Sequence, residues 1–521
     1  MKLALPPRTL NLGLLLLLIL VMGNQLGLDL PLGKARLPVT LGDVVLALAT
    51  VGVALQLLSR KLRGVKLPPV QAFVLVAAAC VALARSEARP DAAKEVLQFA
   101  EYFLIAFAVF LNAAETGDVK ALLTAFAVAT AVVVLWAAWH YAACESPLDV
   151  RAGFKNRNAL GAFLAIALPV LYGLALHARC WGVRLVLLAL VAAGLAVNLS
   201  GGAVLVTLVV LGLLSALRGQ RVLLAYLAAV ALVCVGAPRL LPRPHHTDAL
   251  FSSVAPYVSD NFLLSDKALF ARAGELHEAA REAMASAPDA APPRDLFDAR
   301  HLMEFLRHRR GGDRHLAEAE RALYYQLVEQ AQKALERFPE AEQTCALAHS
   351  RLAVRYQTWH AAIARARKLW DSVPGALFGL GFVDYHTAVD PFRPEAKLQY
   401  YTNIPEVYNV ATSEPFTHDI WLKALVQMGL VGLLALAWLV AALLGRALRL
   451  YAEAHSELML GLALGAAGGI LGFALAGVFT ETIARGLAIP FVFVCSLVLL
   501  GERIVRGEGR PDVERLKSDE Y

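Results

Sequence analysis

Apolar residues along this chain gather in unbroken runs of about 20, the length a helix needs to cross roughly 30 Å of hydrocarbon. The runs lie at 9–30, 40–59, 68–84, 95–113, 119–143, 157–178, 182–199, 201–217 and 221–238, then at 416–444, 457–479 and 484–505. Between the two groups the pattern changes. Ala, Glu and Arg recur there at helical spacing, as over Leu316–Phe338 and Ala346–Val373, which predicts roughly three or four helices with little or no sheet. The Pro-rich stretch Pro238–Pro244 stops the helix before it. Pro374, Gly375, Gly379 and Gly381 end the last of these helices and open an irregular segment, Phe382–Thr417, rich in Tyr, Pro and Asn. Structureless segments of this length are uncommon and usually functional. The pattern predicts an all-α polytopic membrane protein with about 12 transmembrane helices. Its blocks are residues 1–238 with about nine spans, a helical loop over 239–415, and residues 416–521 with three closing spans and a short tail.

Composition agrees, with 58% hydrophobic and 18% charged residues, against about half and a quarter in soluble domains. Orientation follows from the cations. With the N-terminus in the cytoplasm, the inside segments hold Arg60, Lys61, Arg63, Lys66, Arg179, Arg184, Arg218, Arg221, Arg446, Arg449, Arg503, Arg506 and Arg510. These outnumber the cations of the short outside loops, as the positive-inside bias requires. The loop 239–415 is then periplasmic or extracellular, and the protein is expected in an inner membrane. The net charge of +6 reflects this orientation and the loop, with no nucleic-acid signal. The first apolar run lacks a small-residue cleavage site after it and reads as a retained span. Of the six cysteines, Cys80, Cys234 and Cys495 fall in spans and Cys180 inside, as small packing residues. Cys144 and Cys345 fall outside, where a disulfide between them is chemically permitted.

Candidate chemistry gathers at the outer face. His418 stands where the loop re-enters the bilayer, and on a helix it shares a face with Leu422, Leu425, Gly429 and Gly432. Gly429 and Gly432 would let a neighbouring helix approach closely. An imidazole there can accept a proton near neutral pH, or simply cap the helix start. Arg351 and Arg355, one turn apart with Trp359 a turn further, form a fork suited to phosphate oxygens, or a solvated face paired with Glu340 and Glu342. In Gly153-Phe154-Lys155-Asn156-Arg157-Asn158, two cations and two amides stand beside a helix N-terminus, which favours an anion; Asn158 also suits a helix cap. Gly201 and Gly202, after Asn198-Leu199-Ser200, read as a tight turn. No His-Glu-x-x-His, paired Cys-x-x-Cys or Gly-rich phosphate loop occurs, so neither metal, nucleotide nor cofactor is expected.

These motifs resemble those of the bacterial O-antigen ligases, a family of membrane glycosyltransferases. The resemblance lies in Gly153-Phe154-x-Asn156-x-Asn158-Ala159-Leu160-Gly161, and in Arg355-x-x-x-Trp359-x-x-Ala362 followed by Pro374 and Phe378-Gly379-x-Gly381. It continues in His418 with Gly429-x-x-Gly432, and in the large loop preceding that histidine. It covers about 150–445; the first 150 residues match only as generic spans. Asp419 departs from the amide or serine usual after the histidine, and Gly201-Gly202 occupy a turn that often carries an arginine. The resemblance implies a GT-C-like fold and a glycan donor on undecaprenyl diphosphate. It also implies transfer to a sugar hydroxyl of lipid A-core at the periplasmic face, in lipopolysaccharide biosynthesis. Arg355, Arg351, Lys155 and Arg157 would bind the diphosphate. His418 would serve as base, with Asp419 charging or orienting it, and Asn156, Asn158, Trp359, Gly429 and Gly432 would shape the pocket. The polyprenyl tail would lie among the spans and membrane lipids. A polymerase using the same carrier fits the same motifs. A solute transporter is the alternative of another class, but it calls for charges or broken helices in mid-membrane, and these spans are nearly free of charge.

Overall fold

The computed structural model describes residues 7–23, 25, 27–32, 35–59, 64–86, 89–143, 150–240, 266–310, 312–338, 359, 362–382, 419–480, 482–483 and 486–507. They fall into two units, Met1–Ala237 with Ala366–Tyr385 and His418–Tyr521, and Pro238–Arg365 with His386–Thr417. The stretch from Ala366 thus belongs with the membrane unit, although in sequence it lies inside the predicted loop.

The first unit contains α1 (Pro7–Val21), α2 (Leu41–Ser59), α3 (Val70–Arg85), α4 (Arg89–Ala100), α5 (Phe107–Ala113), α6 (Val119–Ala143), α7 (Arg157–His177), α8 (Trp181–Val197), α9 (Gly201–Arg218) and α10 (Gln220–Leu240). Eight helices among the described residues are long and apolar enough to cross a membrane: Leu41–Ser59, Ala92–Ala113, Thr116–Ala143, Arg157–His177, Gly201–Arg218, Ile420–Glu453, Glu457–Ala476 and Ala488–Val505. Shorter apolar helices occupy Arg8–Val21, Val70–Arg85, Trp181–Val197 and Gln220–Val230. The chain is a multi-pass membrane protein.

Two apolar runs are interrupted. The first, expected to span 9–30, ends its helix at Val21, and Gly27–Leu32 then pairs antiparallel with Ala35–Thr40, from Gly27↔Thr40 to Leu32↔Ala35. Just past the helix end the chain packs closely, a Cβ on Gly23 standing 2.6 Å from Val133 Cγ2. The Gln25 N–H meanwhile donates to the Gly153 carbonyl at 2.8 Å. This hairpin is the one departure from the all-α expectation among the described residues. The run at 95–113 is helical throughout but passes through a π-helical stretch, Glu101–Ala106, between α4 and α5. That widened turn places the Tyr102 hydroxyl, which accepts from the Gly486 N–H at 2.8 Å.

The second unit contains α11 (Asp266–Ser286), α12 (Arg294–Arg309) and α13 (Glu318–Arg337). Their apolar faces meet through Leu269, Ala273, Leu296, Leu302, Met303, Leu306 and Leu327. Arg310 ties two ends together, its Nε 3.0 Å from Asp266 Oδ2 and its Nη1 2.6 Å from Glu320 Oε2. These three helices lie between the two apolar groups, while residues 346–358, 360 and 361 of the expected helix Ala346–Val373 lie outside the described ones.

Completing the first unit are α14 (Val373–Phe378), α15 (Ile420–Glu453), α16 (Glu457–Ala476) and α17 (Ala488–Val505). At its centre α7, buried on nearly every face, lies against α16. The contact is backbone to backbone. A Cβ on Gly465 would come within 2.6 Å of the Val170 carbonyl oxygen, and one on Gly469 within 3.1 Å of that of Ile166. Gly461, Gly465 and Gly469 recur every four residues, so one face of α16 carries no side chains. In lipid, where apolar burial does not drive helices together, such close packing is the main source of association. Beside it Phe473 stacks on Phe491 with ring centroids 4.0 Å apart.

Candidate functional site

Two of the sequence motifs meet at the C-terminal end of α16, and a third is tied to one of them through Ser200. The first is the start of α7. Asn156 is its N-cap, the side-chain oxygen accepting from the Ala159 N–H at 2.9 Å. The cap is therefore Asn156 and not Asn158, because the extended backbone of residue 156 precedes the first helical residue, Arg157. Asn158 instead accepts from the Ser200 hydroxyl at 3.1 Å. Ser200 also donates its N–H to the Asn198 side chain at 3.2 Å. The Lys155 N–H donates to Gln25 Oε1 at 3.1 Å, which pins the loop, and both Lys155 and Arg157 are half-buried.

The second motif is the start of α9. Gly201 and Gly202 do not turn the chain. They are the first residues of α9, and a Cβ on Gly202 would stand 2.8 Å from the Phe479 ring. The glycine serves close packing against the segment that follows α16.

The third is the start of α15. Ile420 donates its N–H to the Gly477 carbonyl at 2.8 Å, and the Trp421 indole N–H donates to the Ala474 carbonyl at 3.0 Å. Asp419 caps this helix, Oδ1 accepting from the N–H groups of Trp421 at 2.8 Å and Leu422 at 3.0 Å. Burial pushes its carboxyl up to about 6, against the pull of those two N–H bonds. The described bonds thus make Asp419 a helix cap. His418, which it was expected to charge or orient, lies outside the described residues, as do Arg351 and Arg355. Trp359 is half-buried within the second unit. Cys144 and Cys345 also lie outside the described residues.

Gly429 takes a different role from the one its spacing suggests. It breaks α15, with φ +66° and ψ −163°. A break exposes backbone carbonyls in an apolar interior, which is costly unless other donors reach them. The donors come from the turn after α14, where Leu380 donates to the Val426 carbonyl at 3.0 Å and Gly381 to that of Gln427 at 2.9 Å. Gly379, at φ +67°, permits this approach, since a Cβ there would lie 2.6 Å from the Gln427 carbonyl. A Cβ on Gly429 would in turn strike the Leu377 carbonyl. The close neighbour of the Gly429 face is therefore this turn rather than a helix, and a Cβ on Gly432 would meet Met428 of its own helix. Arg85 and Ser86, at the end of α3, hold the turn from the other side. Arg85 Nε donates to the Gly379 carbonyl at 3.0 Å, and Ser86 Oγ accepts from the Phe382 N–H at 2.7 Å.

One ion pair here had no counterpart among the sequence candidates. Lys423 Nζ lies 3.6 Å from Glu95 Oε2, joining α15 to α4. Both residues fall in apolar segments, so the spans are less free of charge than their composition suggested. The signal was the four-residue spacing of Asp419, Lys423 and Gln427 in an otherwise apolar run.

The starts of α7, α9 and α15 thus lie at one end of the bundle, around amides, hydroxyls and cations. Helix N-termini carry partial positive charge, and Lys155 and Arg157 stand at the start of α7, so this end is chemically suited to an anion. No protein-family model matches the chain, and no curated protein matches it.

Proposed function

We propose that the chain transfers a glycan from undecaprenyl diphosphate to a sugar hydroxyl of lipid A-core at the periplasmic face of a bacterial inner membrane, as an O-antigen ligase does. The observation that carries this reading is the meeting of the Asn156–Asn158 loop, the Asn198–Gly202 segment and the Asp419 helix start at one bundle end. The first of these is a motif on which the resemblance rests, the third directly follows His418 of another, and the three are far apart in sequence. In this reading the protein has about twelve spans in a GT-C-like arrangement, the shorter apolar helices included.

The donor supplies its own driving force, because a diphosphate is a good leaving group. The acceptor oxygen forms a bond to the anomeric carbon as the carbon–oxygen bond to diphosphate breaks. His418 takes the hydroxyl proton as general base. Arg355, Arg351, Lys155 and Arg157 stabilise the charge that collects on the leaving diphosphate. Asn156 and Asn158 act through position, one fixing the start of α7 and the other tying it to Ser200.

The break at Gly429 is the feature a transporter would share, since discontinuous helices bind ions through freed backbone groups. Here the Val426 and Gln427 carbonyls are already engaged by Leu380 and Gly381, which favours a fixed structural joint. The test is lipopolysaccharide gel analysis of a deletion strain complemented with His418→Ala or Arg355→Ala. Loss of long glycan on lipid A-core at normal protein level is expected. Normal attachment sinks the assignment, and a single repeat left on core marks a polymerase instead.

A further inference from the structure

We infer that Lys423 is a diphosphate-binding cation of this site, held at rest by Glu95 and transferred to phosphate oxygens when the donor arrives. This rests on the lipid-diphosphate reading above. Asp419, Lys423 and Gln427 are spaced four apart and share one face of α15. Asp419 and Gln427 are buried, whereas the Lys423 and Glu95 side chains keep 18% and 35% of their exposure. The pair is therefore partly exposed, one helical turn from the capped start of α15. A lysine in a membrane helix is costly and needs a partner or a task. Its separation from Glu95, 3.6 Å, is well beyond the roughly 2.8 Å of a charge-assisted hydrogen bond. The Glu95 carboxylate is thus a long-range partner of the ammonium. Four residues of helix put Lys423 about 6 Å along α15 from its capped start.

Exchange keeps the charge count sensible. A diphosphate oxygen replaces one carboxylate oxygen at the ammonium, and Glu95, the more exposed partner, turns to solvent. A lysine suits this better than an arginine locked in a bidentate pair, since its ammonium is a point charge on a flexible stem. The rival is a pin that merely fastens α4 to α15.

The two readings separate in the purified full-length protein, with undecaprenyl diphosphate as the probe and undecaprenyl monophosphate as the comparison. Lys423→Met should weaken diphosphate binding by about tenfold or more, the loss expected for one charged hydrogen-bond partner. Lys423→Arg should stay within about threefold, and Glu95→Gln should tighten binding about two- to fivefold by removing the carboxylate that competes with the diphosphate. If Lys423→Met fails to fold, the opposite directions of the other two variants relative to a pin still decide. Equal weakening by Glu95→Gln and Lys423→Met, with matching loss of thermal stability, overturns the inference in favour of a pin. Unchanged binding in Lys423→Met, with a wild type that binds, overturns the inference alone. A wild type that does not bind the diphosphate overturns the proposed function and this inference with it.

Discussion

Gly429→Ala perturbs the joint between α15 and the turn after α14 at a single atom. An alanine must hold φ +66° with ψ −163°, a region essentially reserved for glycine, at a cost of about 1–3 kcal/mol. Its Cβ would strike the Leu377 carbonyl and the Gly379 N–H, adding about 1–3 kcal/mol of overpacking. The protein can relieve both by releasing the turn. Release sacrifices the bonds from Leu380 and Gly381 to Val426 and Gln427, each worth about 1 kcal/mol net. Docking should therefore weaken by about 3–4 kcal/mol, which is on the order of a hundred- to a thousandfold in the opening equilibrium. Hydrogen exchange followed by mass spectrometry on peptides covering 378–382 reads this directly, since local opening sets the rate. Gly445→Ala is the control, having no heavy atom within 4 Å of an added Cβ, and should gain up to about 1 kcal/mol of helix stability. Unchanged exchange at Leu380 and Gly381 in Gly429→Ala would refute the joint.

Asp419→Asn should keep the cap but remove a titration. The folded carboxyl sits at about 6 against an ordinary 3.8, so the folded protein holds the proton more tightly. Its contribution, about 3 kcal/mol for that gap, is full below about pH 4 and lost as pH rises through about 6. The Tm difference between wild type and Asp419→Asn should shift in the variant's favour from pH 4 to pH 7; a constant difference contradicts the buried cap. Gly465→Val places atoms against the α7 backbone, where even a Cβ would come within 2.6 Å of the Val170 carbonyl. It should cost more than about 3 kcal/mol, read as loss of the monodisperse peak in detergent size-exclusion chromatography. Cys180 is exposed, and the N–H groups of Val183 and Gly182 hold its thiol below the usual range. With the other cysteines replaced, an impermeant maleimide should label it rapidly in inverted vesicles and not in spheroplasts; the reverse pattern would invert the proposed orientation.

The positions of the helices were legible because hydrocarbon imposes a length and a composition on anything that crosses it. The interruptions were not. The first apolar run continues past Val21 without a break in composition, and nothing in it marks the hairpin that follows α1. The break at Gly429 depends on donors from Leu380 and Gly381, and the glycine pair that marked the place equally fits an ordinary helix contact. Gly202 looked like a turn residue because nothing local reveals Phe479 above it. At the candidate site, the pairing of Asn158 with Ser200 follows from two motifs the sequence had already singled out separately. Lys423 was overlooked for the opposite reason, since averaging hydropathy over a span hides one charge among many apolar residues.

The most direct measurement of the central claim is glycan transfer by the purified full-length protein in proteoliposomes. Isolated undecaprenyl-diphosphate-linked glycan and lipid A-core would be supplied, with no nucleotide present. The account predicts long glycan attached to lipid A-core, release of undecaprenyl diphosphate in equal amount, and loss of both with His418→Ala. Intact donor after prolonged incubation with wild-type protein and both substrates would contradict it.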